Sequence, residues 1–148
     1  MGLQITILNQ QSHQVDRVRL RRVARAVMES EGQPPRTELN VAIGDDAWMQ
    51  GLNEAYQGKQ TPTDVLAFPQ EGAPEGENPL LGEVAISAET AERQARELGH
   101  SLGRELEILL AHGILHLTGW DDATPARRRR MMTRTRAILA ELDQAGDS

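Results

Sequence analysis

The feature that most constrains this 148-residue chain is the way the period of its apolar residues changes along its length. Leu3 to Leu8 is a short apolar run rich in β-branched residues and reads as a strand. Leu20, Val23, Ala24, Val27 and Met28 then recur at i, i+3, i+4, i+7 and i+8, the stripe of an amphipathic helix. Gly32 and Pro34-Pro35 stop it. Leu39 to Ile43 is a second strand and Ala47 to Tyr56 a second helix, followed by short strands at Val65–Phe68 and Leu80–Ile86. Three helices close the chain. Ser87 caps one that runs to Leu98 and ends at Gly99. Ser101 opens the next, with Leu106, Leu109, Leu110 and Ile114, and Thr124-Pro125 starts the last, which runs to about Leu142. The order βαβαββααα predicts an α+β fold: a single domain in which a small mixed four-stranded sheet packs with about five helices. Residues 1–143 form one catalytic domain in this reading, and 144–148 a frayed C-terminal tail. The stretch from Pro69 to Pro79, rich in Gly and Glu, reads as a mobile acidic loop between two strands that can pair as a hairpin.

Composition narrows the function classes. A hydrophobic share of 39% with 26% charged residues is that of a globular protein, which argues against disorder of the whole chain. No apolar run approaches the ~18 residues of a membrane span, and the N-terminus lacks the basic and apolar regions of a signal peptide. With no cysteine, any metal must be held by imidazole and oxygen, and a reducing, cytoplasmic location fits. A net charge of −6 argues against indiscriminate nucleic-acid binding. Yet Arg17, Arg19, Arg21, Arg22 and Arg25 cluster early, and Arg127 to Arg130 with Arg134 and Arg136 cluster late. Each cluster alone reads as a solvated helix face, and the two together make a local phosphate-attracting patch conceivable.

The stretch that carries chemistry is His112-Gly113-Ile114-Leu115-His116-Leu117-Thr118-Gly119-Trp120-Asp121-Asp122. Residues four apart share a helix face with Cβ atoms roughly 5–6 Å apart, so two imidazoles can converge on one zinc ion. Gly119 lets the chain turn out of the helix and bring Asp122 back toward the same point. Two histidines four apart on a helix are more often ordinary surface or core residues. The added glycine and carboxylate reproduce the metzincin spacing, with aspartate in the third histidine's place, and favour a zincin-like metal helix. Three ligands with an open position are the pattern of a catalytic zinc site. In zinc proteases the residue after the first ligand is a glutamate that serves as general base, whereas here it is Gly113, so a protease is disfavoured. A helix-interior glycine costs about 1 kcal/mol against alanine, which points to close packing or ligand approach at that position.

The same stretch resembles the motif of the YbeY endoribonuclease family of ribosomal RNA maturation factors. The resemblance extends through Leu52-Asn53-Glu54-Ala55-Tyr56, Pro62 to Pro69, Leu81 to Ile86, Gly99 to Leu102 and Glu105-Leu106. It implies a zinc-dependent, single-strand-specific endoribonuclease with one Zn2+ per chain, acting in 3′-end maturation of 16S rRNA and in ribosome quality control. The implied partners are single-stranded rRNA and the small ribosomal subunit, with neither DNA nor a membrane. The metal ligands it implies are His112, His116 and Asp122. Two positions depart from the family pattern. Asp122 stands where a third histidine is usual, and Gln57 where an arginine is usual, with Lys59 nearby as a point charge; Gln57 and Lys59 are the substrate-binding candidates. No residue identifies itself as the catalytic general base.

Other residues weigh less in the sequence. Glu105, on the same helical face two turns before His112, is a candidate to support the metal ligands but is expected rather to face solvent, and His100 is expected at a helix junction or on the surface. His13 falls in a polar loop without a visible partner, and Trp120 is expected to anchor the turn by packing. Two rival readings stand beside the nuclease: a ribosome-associated RNA-binding factor with a structural metal, and a metallohydrolase of another substrate.

Overall fold

A computed structural model describes residues 2–57, 63–70 and 79–146. Alternation in β1 (Gln4–Asn9) buries Ile5 and Ile7 and leaves Gln4, Thr6 and Leu8 exposed. β2 (Glu38–Gly44) lies parallel to β1 with Ile7 opposite Val41, and β4 (Leu80–Ser87) lies parallel to β2 with Val41 opposite Val84. β3 (Val65–Pro69) pairs antiparallel with β4, placing Ala67 opposite Val84. The sheet order is β1-β2-β4-β3 and the sheet is mixed, as expected. The expected hairpin pairing therefore forms and makes β3 an edge strand. The acidic residues proposed to connect the pair, 71–78, lie outside the described residues.

Each helix starts and stops where its caps dictate. In α1 (Arg17–Ser30), Asp16 accepts from the Arg19 amide at 3.0 Å. α2 (Asp46–Gln57) follows β2. Ser87 caps α3 (Ala88–Leu98), which Gly99 ends in the left-handed region at φ 75°. Ser101 caps α4 (Leu102–Leu117), and Thr124 accepts from the Arg127 amide at the start of α5 (Pro125–Gly146).

The sheet divides two cores. One face carries Ile5, Ile7, Leu39, Val41, Ile43, Val84 and Ile86 against the buried stripes of α1 and α4, and α5 closes over both helices. The other face is partly covered by α2, with Met49 on Leu66 and Ala85. α1 and α5 run antiparallel: Arg19 near the start of α1 pairs with Asp143 near the end of α5, and Glu31 just beyond α1 pairs with Arg134. These ties also bear on the end of the last helix: α5 runs to Gly146, past the expected end near Leu142, with Asp143 in its last turns receiving both Arg19 and Arg104 (2.6 Å). Arg104 first, then Arg19, holds the Asp143 carboxyl below its ordinary range.

Candidate metal centre

α4 is the element that positions the site, and Gly113 explains how closely it lies on the sheet. A Cβ built there would stand 2.7 Å from Val84 Cγ1 and 3.1 Å from Val84 Cγ2. The glycine is therefore the point of closest approach between α4 and β4. A glutamate at this position would run into the sheet, so the base of the zinc proteases has no room in this fold.

With Gly113 turned inward, its neighbour His112 is half-buried beside the sheet edge, and His116 lies one helical turn on. His112 Nε2 is buried and has no hydrogen-bond partner among the described residues. Burial holds the His112 imidazole below its ordinary pKa; Asp64 opposes that shift, His116 reinforces it, and Asp122 opposes it again. The neutral form so favoured is the form that ligates a metal.

Beyond α4 the chain reverses. Gly119 adopts φ 110°, and the Trp120 amide returns to the Leu115 carbonyl at 3.0 Å. Glu31 fixes this turn, accepting from Trp120 Nε1 at 2.5 Å, from Thr118 Oγ1 at 3.3 Å and from Arg134 at 3.0 Å. Trp120 thus packs on the core and anchors the turn, as expected. The next two aspartates divide. Asp121 accepts from the Ala123 amide at 3.0 Å and pairs with Arg127 at 3.3 Å, and these contacts, the amide first, hold its carboxyl below its ordinary range. Asp122 is exposed and makes no hydrogen bond among the described residues. Of the two, Asp122 is the one left uncommitted and within electrostatic reach of His112.

As the side chains stand, no group of three His, Asp or Glu among the described residues is gathered closely enough to hold a metal. The donor chemistry nevertheless fits one: a neutral imidazole with an orphaned buried nitrogen, a second imidazole one turn on, and a free carboxylate on the following turn. The substrate-binding candidates fall elsewhere. Gln57 is the last residue of α2, and Lys59 lies outside the described residues.

A groove of about 710 Å³ opens over this helix. Glu105, Ile108 and His112 line it from α4, Met132 and Arg136 from α5, and Asp64 and His100 are on its rim. It overturns one expectation: Glu105 does not face solvent but is only 4% exposed, with His100 Nε2 2.6 Å from its carboxylate. The five-residue spacing across the α3–α4 junction brings the two together, so burial of the carboxylate comes with a partner. His13, too, has a partner, its Nδ1 lying 2.9 Å from Gln11 Oε1. Asp64, whose role no spacing in the sequence announces, sits just before β3. It accepts from the Val65 amide at 2.8 Å and from Gln94 at 3.2 Å.

A half-buried imidazole with a depressed pKa, beside a groove on a helix laid against a mixed sheet, defines a small α+β protein with the makings of a hydrolytic site. Comparison with known proteins narrows that class. The chain belongs to the Endoribonuclease YbeY family, whose model matches residues 6–143. The Endoribonuclease YbeY of Pelotomaculum thermopropionicum is 44% identical over 128 residues, covering 84% of each chain. That of Symbiobacterium thermophilum is 45% identical over 131 residues, covering 83% of this chain and 84% of its own. The solution structure of TM1509 from Thermotoga maritima matches the fold with a TM-score of 0.60 at 23% identity, over 95% of this chain and 93% of that one.

Proposed function

We propose that this protein is a zinc-dependent, single-strand-specific endoribonuclease that matures the 3′ end of 16S rRNA and serves quality control of the small ribosomal subunit in the cytoplasm. Family membership supports the endoribonuclease, and the observation that carries the metal is the buried, partnerless Nε2 of His112. His112, His116 and Asp122 would hold one zinc ion. Bound there, a zinc ion supplies Lewis acidity toward the phosphoryl oxygen and makes water a better nucleophile near neutral pH.

The chain's own groups prepare the rest. Burial lowers the His112 pKa and so favours the neutral imidazole, in which fewer protons compete for the ligating nitrogen. The groove takes the strand along α4, and its α5 wall presents Arg136, which makes no ion pair among the described residues. Of the groove carboxylates, Asp143 is held by Arg104 and Arg19, and Glu105 by His100. Asp64 has no cationic partner among the described residues, its carboxylate accepting only from the Val65 amide and the Gln94 amide group, and lies within electrostatic reach of His112; it is assigned the proton that hydrolysis releases.

The test is cleavage of single-stranded against duplex RNA by the purified protein, with and without chelator, alongside metal analysis of wild type and His116→Ala. Cleavage of the single strand alone, lost on chelation in a chain that keeps its circular dichroism, is the expected result. Unfolding on chelation would instead make the metal structural, and turnover unaffected by chelation would refute the metal dependence.

A further inference from the structure

The two arginine clusters singled out in the sequence fall on the two helices that pack antiparallel on the outer side of the molecule. Five of the chain's 16 basic residues lie on α1 and six on α5, with only Glu29, Glu141 and Asp143 as acids on the same helices. The overall charge of −6 therefore conceals a strong segregation. Four of these arginines have structural work: Arg19 on Glu107 and Asp143, Arg21 on the Ile5 carbonyl, Arg127 on Asp121, and Arg134 on Glu31. Arg17, Arg22, Arg25, Arg128, Arg129 and Arg130 are exposed, and their side chains make no hydrogen bond or ion pair among the described residues.

Their placement runs against local helix electrostatics. The first turn of α5 carries no acid, and consecutive arginines at 127–130 oppose the helix dipole and one another. A solvated face chosen for stability would carry acids there. The antiparallel ties set Arg22 and Arg25 level with the C-terminal half of α5, roughly 15 Å along the axis from Arg128–Arg130 at 1.5 Å per residue. This basic surface also joins the candidate site. A hollow of about 330 Å³ is lined by Thr118, Gly119, Trp120 and Asp121 of the turn together with Arg127 and Arg130 of α5.

We infer that the exposed arginines of α1 and α5 form a docking surface, outside the groove, for the sugar–phosphate backbone of RNA extending from the candidate site. The inference rests on the proposed nuclease reading and adds where a long strand is held. Guanidinium groups on a helix face bind phosphates without reading bases, so the surface supplies affinity and not sequence choice. It gives long strands an advantage that short ones lack.

The experiment compares wild type with Arg128→Gln/Arg129→Gln, which leaves the hollow beside the turn intact, and with Arg22→Gln/Arg25→Gln as a second variant. Glutamine keeps helix propensity, and thermal unfolding confirms the fold. Two single-stranded RNAs are used, one of about 8 nucleotides, which fills little beyond the site, and one of about 40. Binding is followed by fluorescence anisotropy across salt, and cleavage as kcat and KM. Losing two phosphate contacts lowers the salt slope by about 1.4, so wild type's advantage on the long strand shrinks about sevenfold between roughly 50 and 200 mM salt. The KM for the long strand rises at low salt, while both constants for the short strand stay within about twofold, since the site itself is untouched. An unchanged slope for both variants would overturn the inference and leave the arginines a solvated face. Equal losses on both strands would overturn it by assigning the arginines to the site. A wild type that binds with a steep slope but cleaves neither strand would refute the nuclease reading and not the docking surface.

Discussion

Alanine at position 113 separates two physical readings of one residue. By helix propensity alone, Gly113→Ala in the middle of α4 should stabilise the protein by about 1 kcal/mol. Steric crowding against the sheet opposes that gain and outweighs it. The new methyl would stand 2.7 Å from Val84 Cγ1, 3.1 Å from Cγ2 and 3.4 Å from Val65 Cγ2, where carbon atoms prefer about 3.5–4.0 Å. Val84 is 1% exposed on an interior strand and has nowhere to move, so α4 must withdraw by roughly 1 Å. Overpacking of this kind costs about 1–3 kcal/mol, which leaves a net loss of about 1 kcal/mol after the propensity gain. For a chain of this length that lowers Tm by about 2–4 °C. His112 adjoins the strained position, and misplacement by about 1 Å can cost ~100-fold in kcat. The assay is urea denaturation of wild type, Gly113→Ala, Val84→Ala and the double variant. The double-mutant cycle should show favourable coupling of about 1 kcal/mol, because removing the Val84 methyls admits the new one. If Gly113→Ala is instead the more stable protein and the cycle is additive, the contact between α4 and β4 is not the reason for the glycine.

Three further outcomes are expected. Wild type purified with zinc should carry one metal ion by mass spectrometry, and His112→Ala or His116→Ala should lose it while helicity by circular dichroism stays within error. Glu31→Ala removes four hydrogen bonds, from three side chains, to one carboxylate that is only 10% exposed, and should cost about 2–3 kcal/mol in urea unfolding, with Trp120 fluorescence reporting a loosened turn. At Asp46 burial pushes the carboxyl up, but the Ser87 and Thr90 hydroxyls and Arg93 outweigh it and bring the pKa below its ordinary value. Its stabilising effect is therefore full above the unfolded value of about 3.9 and fades as pH falls through the folded one. Asp46→Asn should flatten the acid limb of a stability–pH curve, and an identical limb in the variant would count against this carboxyl.

Much of the fold was legible because each element carries its own punctuation. Ser87, Gly99, Ser101 and Thr124 mark helix ends by local hydrogen bonds that depend on neighbours three residues away. The strands were legible as short apolar runs and the β3–β4 pairing as two runs flanking one loop, whereas the parallel order β1-β2-β4 was not, and the reason for Gly113 was half visible as a propensity violation. Glu105 was misjudged because its pairing with His100 depends on the angle between α3 and α4, which no local pattern encodes. The end of α5 was placed too early because its clamp comes from Arg19, more than a hundred residues away in the chain. In the candidate centre, the helical histidines announce themselves by spacing. The separation of Asp121 from Asp122 needed the capping contacts of the next helix, and Asp64 needed the sheet edge to bring it near His112.

The turn after α4 also bears on how fast the proposed centre would exchange its ion. Two donors ride on a rigid helix pinned to β4, while the third sits on an exposed residue past a glycine hinge, so the coordination sphere has one stiff bidentate part and one detachable arm. Dissociation should begin with that arm, giving a labile third position. Metal uptake would then be limited by closure of a short tether, so stiffening the hinge should slow both capture and escape.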